Sequence, residues 1–187
     1  MVENKYNTDK TVGMLSNYEI LFDNIKNKPV KYLEIGVYYG GSLLWASDYF
    51  SHAESKIYGV DKYLGNADYI SAEKITLLEA NQNDSDKLQE LGKKYGCFDV
   101  VIDDGSHMTK ETINSFEILW KYVKPGGWYI IEDWGVCYTP YVTPENISMD
   151  KVVADILLNV KKLNISAAQI ILGGEKGTYA LFRKGLK

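Results

Sequence analysis

Residues 30–42, Val-Lys-Tyr-Leu-Glu-Ile-Gly-Val-Tyr-Tyr-Gly-Gly-Ser, decide the fold. Val30–Ile35 is a short apolar run that begins straight after Pro29, where a helix ends and a strand starts. Gly36, Gly40 and Gly41 then make a turn, and Ser42 is a natural N-cap for a helix running to Phe50. A strand, a glycine-rich turn and a helix in immediate succession open an α/β unit.

The rest of the chain repeats that alternation. Met14, Tyr18, Leu21 and Ile25 predict a helix over 14–27. Strands are expected at 56–60, 74–79, 98–102 and 128–131, with helices opening near Asp84 and carrying Ile113, Phe116, Trp120 and Val123. Lys124-Pro-Gly-Gly127 stops the latter helix, residues 134–147 read as a loop, a helix follows over 149–161, and 165–172 with 178–182 form a hairpin. The expected fold is a Rossmann-like, mostly parallel sheet with helices on both faces. The domain expectation is one unit over 1–187, with residues 1–12 a flexible arm.

With 187 residues, 45% of them hydrophobic, the chain can bury a core without metal or disulfide staples. A net charge of −4 argues against general nucleic-acid binding. No apolar run reaches the ~20 residues of a membrane span, and the N-terminus has no signal-peptide core, so a cytoplasmic protein is expected. Cys97 and Cys137 stand without a CxxC and read as two buried thiols of a reducing compartment. The scattered basic residues read as solvated surface. Fifteen Tyr and four Trp are the unusual feature, and many of them must line surfaces or clefts.

In parallel sheets ligands bind at the carboxyl ends of strands. Polar clusters fall at five such ends: Glu34/Gly36, Asp61, Asn81, Asp103–His107 and Glu132–Asp133. The glycine spacing after the first strand is not GxGxxG, and Glu34 would repel a pyrophosphate. An acid there accepts from an ammonium group, which suits a zwitterionic amino acid; a turn required only for packing would read the same way. Asp61, 25 residues past Gly36, suits ribose hydroxyls, although an isolated acid there would be ordinary loop chemistry. Phe98-Asp-Val-Val-Ile-Asp-Asp-Gly-Ser-His107 ends a strand in two acids and supplies a histidine, the side chain most easily poised as a base near neutral pH. Turn chemistry would also account for it. Glu132-Asp133 adds two acids on the next strand end. Close carboxylates repel unless a cation sits among them, and hard oxygen ligands suit Mg²⁺. Surface carboxylates pointing apart are the other reading. Trp134, Tyr138 and Tyr141 either stack on a substrate or simply cover the sheet end.

Taken in order, YLEIGVYYGGSL, YGVD, FDVVIDDGSH and VKPGGWYIIEDW resemble the S-adenosylmethionine-dependent O-methyltransferases of macrolide and related deoxysugars, a pattern shared with cephalosporin-hydroxylase-like proteins. The resemblance runs from Thr8-Asp9-Lys10 to the final hairpin. It implies a class I methyltransferase sheet of seven strands with the last antiparallel. It also implies a site. Glu34, Gly36, Gly40 and Ser42 would contact the methionine moiety, and Asp61 the ribose. Asn81, Gln82 and Asp103 would lie beside the cofactor, with Asn81 where an acid or glycine–acid pair is commoner. Asp104, Glu132 and Asp133 would hold Mg²⁺ or another divalent ion. His107 would be the general base, with Asp104 sharing the catalytic work.

The implied activity is methyl transfer to a hydroxyl of a sugar or glycoside, with no nucleic-acid or membrane partner and room for a homo-oligomer. A catechol or other vicinal-diol acceptor, or a catalytically silent cofactor-binding subunit, are the alternatives. Glu34 and the missing GxGxxG argue against a nicotinamide oxidoreductase.

Overall fold

A computed structural model describes residues 5–67, 70, 73–173 and 177–186. The elements run α1 (Val12–Phe22), β1 (Lys31–Ile35), α2 (Gly41–Tyr49), β2 (Lys56–Asp61), β3 (Ile75–Glu79), α3 (Ser85–Tyr95), β4 (Phe98–Asp103), α4 (Thr109–Leu119), β5 (Val123–Glu132), α5 (Met149–Leu158), β6 (Ile165–Ile171) and β7 (Tyr179–Lys184). The seven strands lie in the order β3-β2-β1-β4-β5-β7-β6, and β7 runs antiparallel to both its neighbours. This is the Rossmann-like sheet of seven strands, the last antiparallel, that the resemblance implies. The order reverses between β1 and β4, which places the switch point of the sheet beside the glycine turn.

Strand periodicity sorts the core into two layers. Leu33, Val101, Tyr129 and Phe182 face one side, where Phe116 of α4 and Trp120 just after it cover them. Tyr32, Val100, Ile102 and Ile130 face the other, where α1 and α2 supply Tyr18, Phe22, Leu43 and Trp45. β4 is buried along its whole length, as a central parallel strand requires. Thr11 caps α1 by accepting from the Met14 amide, and Asp84 caps α3 by accepting from Lys87.

Several expectations need correcting. α1 stops at Phe22 and α5 at Leu158, short of the predicted ends. The N-cap of α2 is Gly40, at φ 74°, not Ser42. β5 starts at Val123 rather than 128, because Val123 pairs with Phe98 and the register slips before Val100. Pro125 is tolerated at this irregularity, where a missing amide breaks no regular ladder. Cys97 is exposed and Cys137 only half-buried, both free thiols. The 1–12 arm is tied down over the part described: Lys5 and Tyr6 reach Asp48 at 3.2 and 3.0 Å, and Lys10 is buried. Residues 1–4 of that arm, and 174–176 of the final hairpin, lie outside the described residues. No helix among the described residues is long and apolar enough to cross a membrane.

Candidate active site

The glycine turn is shaped by the crossing of two strand ends. The Gly36 amide donates to Val60 O at 2.8 Å, which carries the chain off β1 at φ 91°. A side chain at Gly36 would collide with the Asp104 carbonyl, so only glycine fits there. The turn is then held by Asp61. One oxygen of its carboxylate accepts from the Val37 amide at 2.8 Å and the Tyr38 amide at 3.3 Å, and the other from the Tyr63 amide at 3.2 Å.

Above these strand ends lies an open cleft of about 610 Å³. Gly36, Gly40, Ser42 and Asp61 line it, with Asn81 and Gln82 beyond β3 and Asp104 and His107 beyond β4. The cleft therefore gathers eight of the residues singled out in the sequence. Asn7, Thr8 and Asp9 also line it, which the sequence reading missed.

The acids do not all face the cleft, and the period of the strands explains why. Residues 32, 34, 130 and 132 share the face covered by α1, so Glu34 and Glu132 turn inward there. Glu34 is fully buried and accepts from Tyr32 Oη at 2.7 Å and Ser42 Oγ at 2.8 Å. Glu132 accepts from Tyr18 Oη at 2.8 Å. The ammonium that reaches both belongs to this chain: Lys10 Nζ lies 3.2 Å from Glu34, 2.7 Å from Glu132 and 2.6 Å from Asp104. Lys10 is thus no solvated surface residue. Burial opposes its charge, but Asp104, Glu132 and Glu34 outweigh burial and hold the amine well above the usual lysine range. Burial pushes the Glu34 carboxyl up against the pull of Lys10, and pushes Glu132 far up, reinforced by Asp104.

Asp103 faces the other layer, under α4. It accepts from Gln82 Nε2 at 2.8 Å, from Tyr129 Oη at 3.1 Å and from Ser115 Oγ. Burial pushes its carboxyl up to about 6, against the downward pull of the Ser115 and Tyr129 hydroxyls. It braces the cleft from below, since Gln82 in turn accepts from the Ser106 amide at 3.0 Å.

Beyond β4 and β5, Asp104, His107 and Asp133 each bring one ligand atom to within 4.8 Å of the others. His107 and Asp133 both take the left-handed conformation, at φ 56° and 50°. The Asp133 amide donates to Thr178 O at 2.6 Å, and its Oδ1 accepts from the Gly177 amide at 3.2 Å. His107 Nε2 stands 4.0 Å from Asp104 Oδ1. Of the three acids read as metal ligands, two converge with the histidine, while Glu132 is turned to Lys10 and Tyr18. The donor set, carboxylate oxygens and an imidazole with surplus negative charge, fits a hard divalent ion. Trp134 is buried, and Tyr138 and Tyr141 are exposed.

Sequence reasoning missed Lys10 and the three buried tyrosines that donate to Glu132, Glu34 and Asp103. A signal existed for one: Tyr32 stands two residues before Glu34 and so shares its face.

The family described as "Methyltransferase domain" matches residues 33–134, more than half of the chain. The mycinamicin VI 2''-O-methyltransferase of Micromonospora griseorubida is 36% identical over 131 residues, 66% of this chain and 32% of that protein. The demethylmacrocin O-methyltransferase of Streptomyces fradiae is 38% identical over 130 residues, again 66% of this chain and 32% of that one. The chain thus spans about a third of the length of these curated relatives. A methyltransferase of the mycinamycin pathway, solved with Mg, SAH and mycinamycin VI, superimposes with a TM-score of 0.79 at 30% identity, covering 97% of this chain and 52% of that one.

Proposed function

The chain belongs to the methyltransferase-domain family, and from that premise we propose that it transfers a methyl group from S-adenosylmethionine to a hydroxyl of a sugar or glycoside, aided by Mg²⁺ or a similar ion. One observation carries the reading. A single cleft is lined by the glycine turn, Asp61, Asp104 and His107, and Asp133 brings a ligand atom within 4.8 Å of those of Asp104 and His107. The relatives named above support the reading, being O-methyltransferases by name.

The roles follow from position. Gly36 and Gly40 let the backbone approach the methionine end of the cofactor, and the start of α2 favours its carboxylate. Asp61 keeps lone pairs for ribose hydroxyls beyond those used on the turn. Asn81 and Gln82 lie where the adenine would rest. Asp104 and Asp133 would hold the divalent ion, with Glu132 behind them. A divalent ion held there would supply Lewis acidity, lowering the pKa of an acceptor hydroxyl. His107, beside Asp104, takes the proton from that hydroxyl as the oxygen attacks the sulfonium methyl in line. Aligning the two reactants is worth ~7–11 kcal/mol at most, so the rigidity of the cleft matters most. The proposal places the protein in the cytoplasm, with a small-molecule acceptor.

The test is calorimetric titration with S-adenosylmethionine and S-adenosylhomocysteine, with Mg²⁺ and with EDTA, followed by a panel of sugars, glycosides and catechols. Binding of both compounds and Mg²⁺-dependent methylation of a sugar hydroxyl is the expected result. No binding of either compound would retract the methyltransferase activity. Methylation of catechols alone would move the acceptor to the vicinal-diol class.

A further inference from the structure

Three carboxylates and one ammonium meet where the ends of β1, β4 and β5 face α1. The Lys10 side chain there is only 2% exposed. One ammonium stands against the carboxyl groups of Glu34, Asp104 and Glu132, which outnumber it three to one. Tyr18, Tyr32 and Ser42 donate hydrogen bonds to it but bring no charge. Buried carboxylates this close invite a further cation. Asp104 is also divided between two neighbours. Its Oδ2 receives Lys10, while its Oδ1 faces His107 at 4.0 Å, on the side where Asp133 approaches.

Resting on the divalent-ion reading above, we propose that Lys10, seated against Glu34 and Glu132, is a positioning residue whose ammonium is the built-in competitor of the divalent ion for Asp104. Without the ion, Lys10 keeps the acids together and the strand ends assembled. With the ion bound, two positive charges arrive beside Asp104, and the ammonium falls back on Glu34 and Glu132, already 3.2 and 2.7 Å away. The competition sets how tightly the ion is held. A fixed ammonium a few ångströms from a divalent ion repels it in a medium that screens poorly. Lys10 also follows directly on Asn7, Thr8 and Asp9, which line the cleft, so the exchange occurs at the edge of the cofactor's space.

Lys10→Met tests this, because it keeps the apolar stem and removes the charge. Mn²⁺ serves as the probe, titrated calorimetrically into the wild-type chain and the variant in the absence of acceptor. The expected result is at least tenfold tighter Mn²⁺ binding in Lys10→Met, a lower melting temperature without the ion, and a larger rise on adding it than in the wild type. Unchanged or weaker Mn²⁺ affinity would overturn the proposal and leave Lys10 a purely structural ion-pair partner. If the variant folds only with Mn²⁺ present, the ion has replaced the ammonium and the proposal stands. If it folds in neither buffer, the ion cannot stand in for the ammonium and the proposal fails. Absence of Mn²⁺ binding by the wild type is a separate failure, which removes the divalent ion itself and this proposal with it.

Discussion

The Asp61 carboxylate at the end of β2 holds the Val37 amide at 2.8 Å, across the turn that leaves β1. The residue expected to read the ribose is therefore also the clasp of the glycine turn. Asp61→Ala should act twice. It orphans the Val37 and Tyr38 amides, costing about 1–3 kcal/mol of stability, and it removes the ribose acceptor. S-adenosylhomocysteine affinity should fall by ~10-fold or more, at about 1.4 kcal/mol per decade. Asp61→Asn separates the effects, because its side-chain oxygen can still accept from the turn. It should recover most of the stability and less of the affinity. Equal recovery of both, followed by denaturant melts and calorimetry, would reduce Asp61 to a structural clasp.

Gly41 gives a prediction with a sign opposite to helix propensity. Glycine to alanine inside a helix ordinarily stabilises by ~0.5–1 kcal/mol. Here a Cβ would run into the backbone carbonyls of Tyr6 and Asn7, which lie on the first turn of α2. Gly41→Ala should therefore lower stability and push residues 5–9 off the cleft, weakening S-adenosylhomocysteine binding. Gly13→Ala, in α1 with open space around it, is the control and should be neutral or stabilising. If Gly41→Ala stabilises like the control, the N-terminal segment does not press on α2.

The sheet was readable because its signals are local: apolar runs of five or six residues, each closed by a polar strand end. The rim was readable for the same reason. What stayed hidden was which way each acid points. Asp103 and Asp104 are adjacent in sequence, yet one lies under α4 with Gln82 and Tyr129 and the other opens on the cleft with His107. Alternation along β4 separates them, and the sequence reading did not carry the alternation past the strand end. Lys10 was hidden for a different reason. A lysine in a polar segment looks solvated, and only the tertiary fold brings it 2.7 Å from Glu132, 122 residues away.

Asp103 makes stability depend on pH. Its carboxyl is raised from 3.8 to about 6 by burial in the folded state. A raised acid binds its proton more tightly when folded. Its contribution is therefore fully present below pH ~4 and is lost as pH rises through ~6, a change of about 3 kcal/mol. Glu34 and Glu132 are raised too and add in the same direction. Urea unfolding from pH 7 to pH 5 should show wild-type stability rising more steeply than that of Asp103→Asn. Parallel curves for the two would mean that the Ser115, Gln82 and Tyr129 hydrogen bonds compensate the buried charge fully.

His107 stands close enough to Asp104 and Asp133 to be read either as a base or as a metal ligand. The two roles separate under substitution. Its φ of 56° is costly for most side chains but tolerated by asparagine, so His107→Asn is a gentler probe than His107→Ala. As the base, His107 supplies ~10²–10⁴-fold to the rate, and either variant should lose that much turnover on an acceptor found by the hydroxyl panel. S-adenosylhomocysteine binding should hold, because the cofactor's proposed anchors are Gly36, Gly40, Asp61, Asn81 and Gln82 rather than His107. Divalent-ion affinity should hold as well, because Asp104 and Asp133 remain. A variant that loses turnover together with Mn²⁺ affinity, and regains turnover when Mn²⁺ is raised, would make the imidazole a ligand and leave the proton to solvent or to Asp104.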